Sequence, residues 1–517
     1  MTLALPGRRR APRVLVITSG VIAAALLVPL VFLILQAGQA GWHDVFRLVF
    51  RRLTQVLLLN TVQLSVLVSA ASAVLGTGAA FLVERTSLPG RRTWAVLVVL
   101  PVAVPDFVVG YAWHSMAPAL HGLTGATVVM TLAVYPLVYL PVAAALRRAD
   151  PSEEEVARSL GLGPVETFFR VTLRQIRPAL TGGCLLVCLA LLAEYGAFEI
   201  MRFQTFTTTI FSELTTAFDL PAASGLSLVL VLLGLIVLAG EAGVNTRGRV
   251  SRAGGQTTHL RARHRLRGGR LVAALAGMTA LAGAALGVPV GTLVYWMVSS
   301  HASTLPGASL WGALEHTATY SAVAALVASV LALPVALLAV RFRSVSTMVL
   351  ERSTFVVQSL PGLVIALALV FFASHYAHRL YQSATLLEVA YAILFFPLAL
   401  VCVRASVAQA PRRLEEVGRS LGRPPWQVLL RVTLPLVAPG LAAGFCLVFL
   451  SAVTELTATL ILVPTGVHTL ATQFWAYQSN TSYGAAAPYA VVMVALAAAP
   501  GYMLTRWFNR DPGEARA

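Results

Sequence analysis

The chain has 517 residues, 57% of them hydrophobic and only 11% charged, and carries a net charge of +17. That balance excludes a soluble globular protein, which must keep a charged, wetted exterior at this length. The basic residues are all arginine, which excludes a standard G-x-x-x-x-G-K-[ST] phosphate loop, because that loop needs a lysine on the nucleotide phosphates.

The apolar residues come in runs near the length a helix needs to cross about 30 Å of hydrocarbon. They predict an all-α polytopic membrane protein with 12 spans, at 14–36, 56–83, 94–117, 125–146, 179–201, 225–241, 271–298, 317–340, 353–374, 385–403, 438–463 and 485–507. Gly7-Arg8-Arg9-Arg10 before the first span mimics a signal peptide, with Ala37-Gly38-Gln39-Ala40 as a cleavage site. The run is long for such a peptide and many spans follow, so an uncleaved first helix is expected. Cys184, Cys188, Cys402 and Cys446 lie inside apolar runs and read as small packing residues, with no disulfide framework or metal set implied.

With the N-terminus inside, every arginine falls on the inner side except Arg47, Arg51, Arg52, Arg202 and Arg379. The positive-inside rule therefore predicts that both chain ends face the cytoplasm. Residues 245–270 are rich in Gly and Arg and have no periodicity. Nucleic-acid binding is one reading of such a run. Its place between two sets of six spans reads instead as a cytoplasmic linker beside anionic lipid head groups. The expected domains are 1–244, the linker 245–270, and 271–517.

The two halves are repeats. Residues 155–180 (EVARSLGLGPVETFFRVTLRQIRPAL) and 416–441 (EVGRSLGRPPWQVLLRVTLPLVAPGL) share 13 of 26 positions at an offset of 261. The same offset pairs Glu194 with Glu455, and Tyr135-Pro136 with Phe396-Pro397. An offset of 256 pairs Pro105 with Pro361 and Asn60-Thr61 with His316-Thr317. Six spans per repeat make the copies parallel, related by a pseudo-twofold axis along the membrane normal with the pathway between them. The repeated segment is cytoplasmic both times. Glu153-Glu154-Glu155 suit a helix start, Gly161 and Gly422 break the run, and Pro164 and Pro425 suit a second helix start. Helix, turn, helix results, with Arg158 and Arg419 on polar faces and Leu160 and Leu421 on apolar ones.

This segment resembles the EAA loop of type I ABC importer permeases, E-A-A-x(3)-G-x(9)-I-x-L-P. The first copy, within 151–178, supplies Glu155, Val156, Ala157, Gly161, Val171 and Leu173, with Arg174 where Pro is expected. The second, within 411–439, supplies Glu416, Val417, Gly418, Gly422, Val432, Leu434 and Pro435, with Gly418 for the third Ala. The resemblance implies that each loop seats in a groove of one of two ABC ATPase subunits. It also implies a periplasmic or lipid-anchored substrate-binding protein, a bacterial plasma (inner) membrane location, and a permease rather than an enzyme, with no cofactor of its own. Glu84-Arg85-Thr86-Ser87-Leu88-Pro89-Gly90-Arg91-Arg92 resembles a loop of ferric-iron, thiamine and polyamine permeases. Glu194-Tyr195-Gly196-Ala197 with Thr205-Phe206-Thr207-Thr208 is similar to the ferric-iron type, as is Glu455-Leu456-Thr457-Ala458-Thr459-Leu460 with His468-Thr469-Leu470-Ala471-Thr472. Iron(III) is the substrate implied, with thiamine, polyamine, sulfate and phosphonate as alternatives.

Glu194 and Glu455 lie in apolar surroundings, where a carboxylate costs a few kcal/mol and should face the bundle interior or water. They are candidates for the translocation path, against a helix-packing hydrogen bond. Asp106 follows Pro105 and is a weaker candidate, since a kinked core helix explains it. His375 and His378 with Tyr376 and Tyr381 could ligate iron, but the first half has no matching cluster and interfacial aromatics are ordinary. A proton-coupled secondary transporter is the main rival; it would have no ATPase to dock on paired EAA-like loops. No metal motif, nucleophile elbow or phosphate loop supports a membrane enzyme.

Overall fold

A computed structural model describes residues 11–39, 41–149, 151–250, 264–300, 307–342 and 344–508. Among them the regular structure is helical, apart from one isolated β-bridge between Thr86 and His264. The first elements are α1 (Arg13–Gln39), α2 (Trp42–Val49), α3 (Arg52–Arg85), α4 (Arg91–Val99), α5 (Asp106–Met116), α6 (Gly122–Val134) and α7 (Pro136–Arg148). Next come α8 (Pro151–Ser159) and α9 (Pro164–Thr167), which passes through a π-turn (Phe168–Thr172) into α10 (Leu173–Ala193). The half closes with α11 (Gly196–Ile200), α12 (Phe206–Thr215) and α13 (Leu220–Val250). The second half opens with α14 (Gly269–Ala282) and α15 (Val288–Ser299), then α16 (Ala308–Arg341), α17 (Val345–Val356), α18 (Gly362–Tyr376) and α19 (Ala384–Gln409). It continues with α20 (Arg412–Ser420), α21 (Pro425–Val428), a π-turn (Leu429–Thr433), α22 (Leu434–Val453), α23 (Thr457–Leu462), α24 (Leu470–Ser479) and α25 (Tyr483–Phe508).

Ten of the described helical segments are long and apolar enough to span a membrane, or 12 if two bent pairs each count as one span. The bent pairs are the predicted spans 94–117 and 353–374, broken by 94° and 102°. The cause is the residue before each proline. Val104 and Leu360 are pushed to extended backbone, at φ −93°, ψ 121° and φ −92°, ψ 115°, because the proline ring disfavours the helical region for its predecessor. Pro105 and Pro361 then lead directly into α5 and α18. The predicted spans 179–201 and 438–463 also shift: their helices begin near Val165 and Pro425 and stop at Ala193 and Val453.

The chain packs as two compact units, residues 41–300 and residues 1–40 with 301–517. In the first, α3, α7 and α10 form the centre. They approach closely at glycines, as small residues allow in membranes. A β-carbon on Gly76 would lie 2.9 Å from the Tyr139 amide nitrogen, and one on Gly183 would lie 2.9 Å from Val138 Cα. In the second unit, α16, α19 and α22 form the equivalent centre, and Gly444, the repeat partner of Gly183, stands 3.3 Å from Ala399 Cα by the same measure.

The outermost helices cross the repeat boundary. α1 packs on α16, α17 and α18, with the Phe32 ring 5.1 Å from Phe372 and 5.4 Å from Tyr376. α15 packs on α5, where Trp296 Nε1 donates to Ser115 Oγ at 3.3 Å. The packing units therefore cut across the boundaries expected from the sequence repeat. α13 continues as helix to Val250, into the expected linker, of which residues 251–263 lie outside the described residues.

Candidate functional site

The two EAA-like segments fold alike. α8 and α20 each end in a left-handed glycine, Gly161 at φ +88° and Gly422 at φ +77°. Gly161 N–H donates to Arg158 O at 2.9 Å and Leu162 N–H to Ala157 O at 3.1 Å; Gly422 and Arg423 repeat this onto Arg419 O and Gly418 O at 3.0 and 3.2 Å. These paired bonds satisfy helix-end carbonyls that would otherwise be orphaned. A side chain with a β-carbon would pay about 1–2 kcal/mol for that backbone. Ala157 and Gly418 are buried under the turn, and a β-carbon on Gly418 would stand 3.3 Å from Val428 Cγ2. Glycine at 418 thus fits a position where a β-carbon would press on Val428.

What each loop turns outward is apolar. Val156, Leu160, Val165 and Phe169 are exposed on the first, and Val417, Leu421, Trp426 and Leu430 on the second; Leu160 and Leu421 are 77% and 75% accessible. Glu155 and Glu416 are exposed beside them. An exposed apolar patch rimmed by charge marks an interaction surface. Leu173 and Leu434 are half-buried at the start of α10 and α22, and Arg174 and Pro435 are exposed, so the Arg174 departure leaves the first turn of α10 intact.

Buried ion pairs fasten these loops. Arg85 at the end of α3 donates to Glu154 at 3.0 Å, and Arg341 at the end of α16 donates to Glu415 at 2.8 Å. Thr172 Oγ1 also donates to Glu154 Oε1 at 2.8 Å, and Gln175 Nε2 to Glu153 Oε2 at 2.6 Å. The motif draws attention to Glu155 and Glu416, whereas the anchoring carboxylates are their neighbours Glu154 and Glu415. A signal was present: the offset of 261 pairs Glu154 with Glu415, and that of 256 pairs Arg85 with Arg341.

The three residues expected on the translocation path sit at breaks in helices. Glu194 ends α10 and its Oε1 accepts from Ala197 N–H at 2.7 Å, in the first turn of α11. Glu455 Oε1 accepts from Ala458 N–H at 3.0 Å, at the start of α23. Thr207 Oγ1 donates to Glu194 O at 2.5 Å and Thr459 Oγ1 to Glu455 O at 2.6 Å. Each glutamate therefore caps a short helix and holds open a break in its span, as an N-terminal acceptor does. The threonines of the ferric-type stretches serve nearby, since Thr205 with Thr208 and Thr469 with Thr472 form capping boxes on α12 and α24. Asp106 is half-buried in the first turn of α5. Its repeat partner is Gly362, where a β-carbon would lie 2.6 Å from Glu455 Oε1.

Among the described residues, no three His, Cys, Asp or Glu side chains group as a metal site. His375 Nδ1 lies 3.0 Å from Phe371 O with its ring against that phenyl, and Tyr376 packs on Phe32.

Residues 72–247 and 328–511 each match the family described as Binding-protein-dependent transport system inner membrane component. The chain is 36% identical to the Fe(3+)-transport system permease protein FbpB 2 of Haemophilus influenzae, over 96% of this chain and 99% of that protein. It is 21% identical to the ferric transport system permease protein FbpB of Actinobacillus pleuropneumoniae, over 84% and 68%. It is 26% identical to the sulfate transport system permease protein CysT of Escherichia coli, over 41% of this chain and 84% of that one.

Proposed function

The chain belongs to the family of binding-protein-dependent transport system inner membrane components, in which it is a fused two-repeat type I permease, and we propose that it forms the translocation path of an iron(III) importer driven by separate ATPase subunits. Membership makes it a multi-pass inner-membrane protein and a transport permease. The iron(III) assignment is supported by full-length similarity to a protein named for Fe(3+) transport. The sulfate permease similarity covers less than half of this chain.

The observation that carries ATPase coupling is the pair of matched helix–turn–helix loops, each with an apolar tip turned outward and a buried ion pair behind it. Two ATPase subunits seat on the loops 151–178 and 411–439 at the cytoplasmic face, with both chain ends on that side. A loaded periplasmic or lipid-anchored binding protein docks over the outer segments 202–224 and 462–484. Each ATPase stroke enters its half through α8 or α20 and reaches α3 or α16 through the Arg–Glu pairs. Glu194, Glu455 and Asp106, at the helix breaks, are the residues assigned to the path in this reading.

Co-purification and vesicle uptake test this. Leu160→Asp with Leu421→Asp should abolish capture of the ATPase while leaving the permease folded, and ferric ion should stimulate ATP hydrolysis where sulfate does not. Proton-driven uptake by the chain alone would refute it.

A further inference from the structure

Among the described residues, the linker reaches the first docking loop and not the second, so the two loops differ in what holds them. His264 lies beside the end of α3 as a one-residue parallel strand: its N–H donates to Arg85 O at 2.9 Å, Ser87 N–H donates to its carbonyl at 3.0 Å, and Leu266 N–H donates to Ser87 Oγ at 3.0 Å. The His264 ring stacks on Phe81, with centroids 6.0 Å apart and planes 23° from parallel. Phe81 in turn meets Phe168, at the start of the π-turn after α9, edge-on at 5.3 Å. Arg158 of α8 brings one guanidinium nitrogen to 2.9 Å from His264 Nε2 and 3.2 Å from its Nδ1. One imidazole thus touches the core helix at Phe81 and the first loop at Arg158, and Phe81 carries the contact on to Phe168.

The second loop holds no such contact among the described residues. The repeat partners of Phe81 and Phe168 are Leu337 and Leu429, which cannot stack. The partner of Arg158 is Arg419, which turns to Glu415 of its own helix at 3.7 Å.

We propose that His264 is a positioning residue that clasps the linker to the first ATPase-docking loop through Arg158, and that mild acid opens this clasp. The proposal rests on the reading of 151–178 as a docking surface. Arg158 is an obligate donor, so the ring nitrogen it meets must be an acceptor, which only the neutral imidazole offers. The charged groups facing the ring are Arg158 and Arg85, which disfavour its protonation, and Glu154, which favours it. Burial dominates and, with Arg158, holds the imidazole below the usual histidine range. A released His264 binds protons more readily than a clasped one. The clasp is therefore at full strength above the ordinary histidine value of 6.5 and weakens as the pH falls through that value.

The test has an arm that needs no partner. A spin label at Leu266→Cys, in a chain whose four native cysteines are replaced, should be immobilised at pH 7.5 and mobile near pH 5.5. His264→Ala should free it at both values. His264→Gln, which keeps an acceptor and cannot titrate, should hold it at both. In the complex with its ATPase subunits, His264→Ala should weaken subunit binding roughly tenfold to a hundredfold, the scale of one lost hydrogen bond to a charged group, and His264→Gln should restore it. A label already mobile at pH 7.5, or a His264→Gln chain that still responds to acid, overturns the clasp. A clasp that behaves as described while Leu160→Asp leaves ATPase binding unchanged removes the docking reading instead, and the positioning role with it.

Discussion

Arg85 and Glu154 are 69 residues apart in sequence, and their side chains meet at 3.0 Å in a pair that is almost wholly buried. The contact joins the last turn of a membrane helix to a short helix outside it. Because Glu154 also holds Thr172, the same carboxylate links α3, α8 and the π-turn before α10.

Removing one partner from such a pair leaves an uncompensated charge and costs about 3–5 kcal/mol. Glu154→Ala and Arg85→Ala should each lower the thermal midpoint of the purified chain, and Arg85→Met with Glu154→Leu should recover most of the loss. Equal melting of both single variants and wild type would mean that the pair carries no load.

Gly161 and Gly422 hold left-handed backbone. Alanine there should cost about 1–2 kcal/mol and reorient the tip carrying Leu160 or Leu421, so ATPase binding should fall more than stability does. Asparagine, which tolerates this conformation, should restore part of both. Surface plasmon resonance against the ATPase reads one quantity and a melting curve the other.

Glu194 and Glu455 act as acceptors for the amides of Ala197 and Ala458. Glutamine keeps an acceptor oxygen, whereas alanine forfeits the cap at about 1 kcal/mol. The double Gln variant should therefore melt near wild type while its uptake falls. Unchanged uptake at normal expression would confine both residues to a structural role.

Gly362 has no room for a β-carbon, which would stand 2.6 Å from Glu455 Oε1. Gly362→Ala should push that carboxylate off Ala458 and destabilise the unit by about 1–3 kcal/mol, the usual cost of overpacking. Asp106→Gly at the partner position should be far milder, and the two melting curves compared side by side decide this.

Much of this architecture was legible in the sequence because its signals are either global or repeated. Hydropathy needs only span length, and the loops stand out because two copies share Gly, Leu and Pro at one offset. What stayed hidden depends on three-dimensional proximity. A hydropathy window sums apolar character and does not register that Val104 or Leu360 has left the helix. The choice between Glu154 and Glu155 as anchor turns on which face of a nine-residue helix meets Arg85. His264 looked like one more polar residue in a basic stretch, since nothing local says that Phe81 and Arg158 lie within its reach.

The exchange of outer helices also sets a schedule for biogenesis. α1 leaves the ribosome well before its partners α16, α17 and α18, which begin roughly 270 residues later, a delay on the order of 15–50 s at ordinary synthesis rates of ~5–20 residues per second. During that interval the unit formed by 41–300 can assemble, while the face of α1 that carries Ser19 and Gln36 waits in lipid for its seat. Splitting the gene at the linker would leave each unit without a helix that the other fragment carries, α1 in one case and α15 in the other.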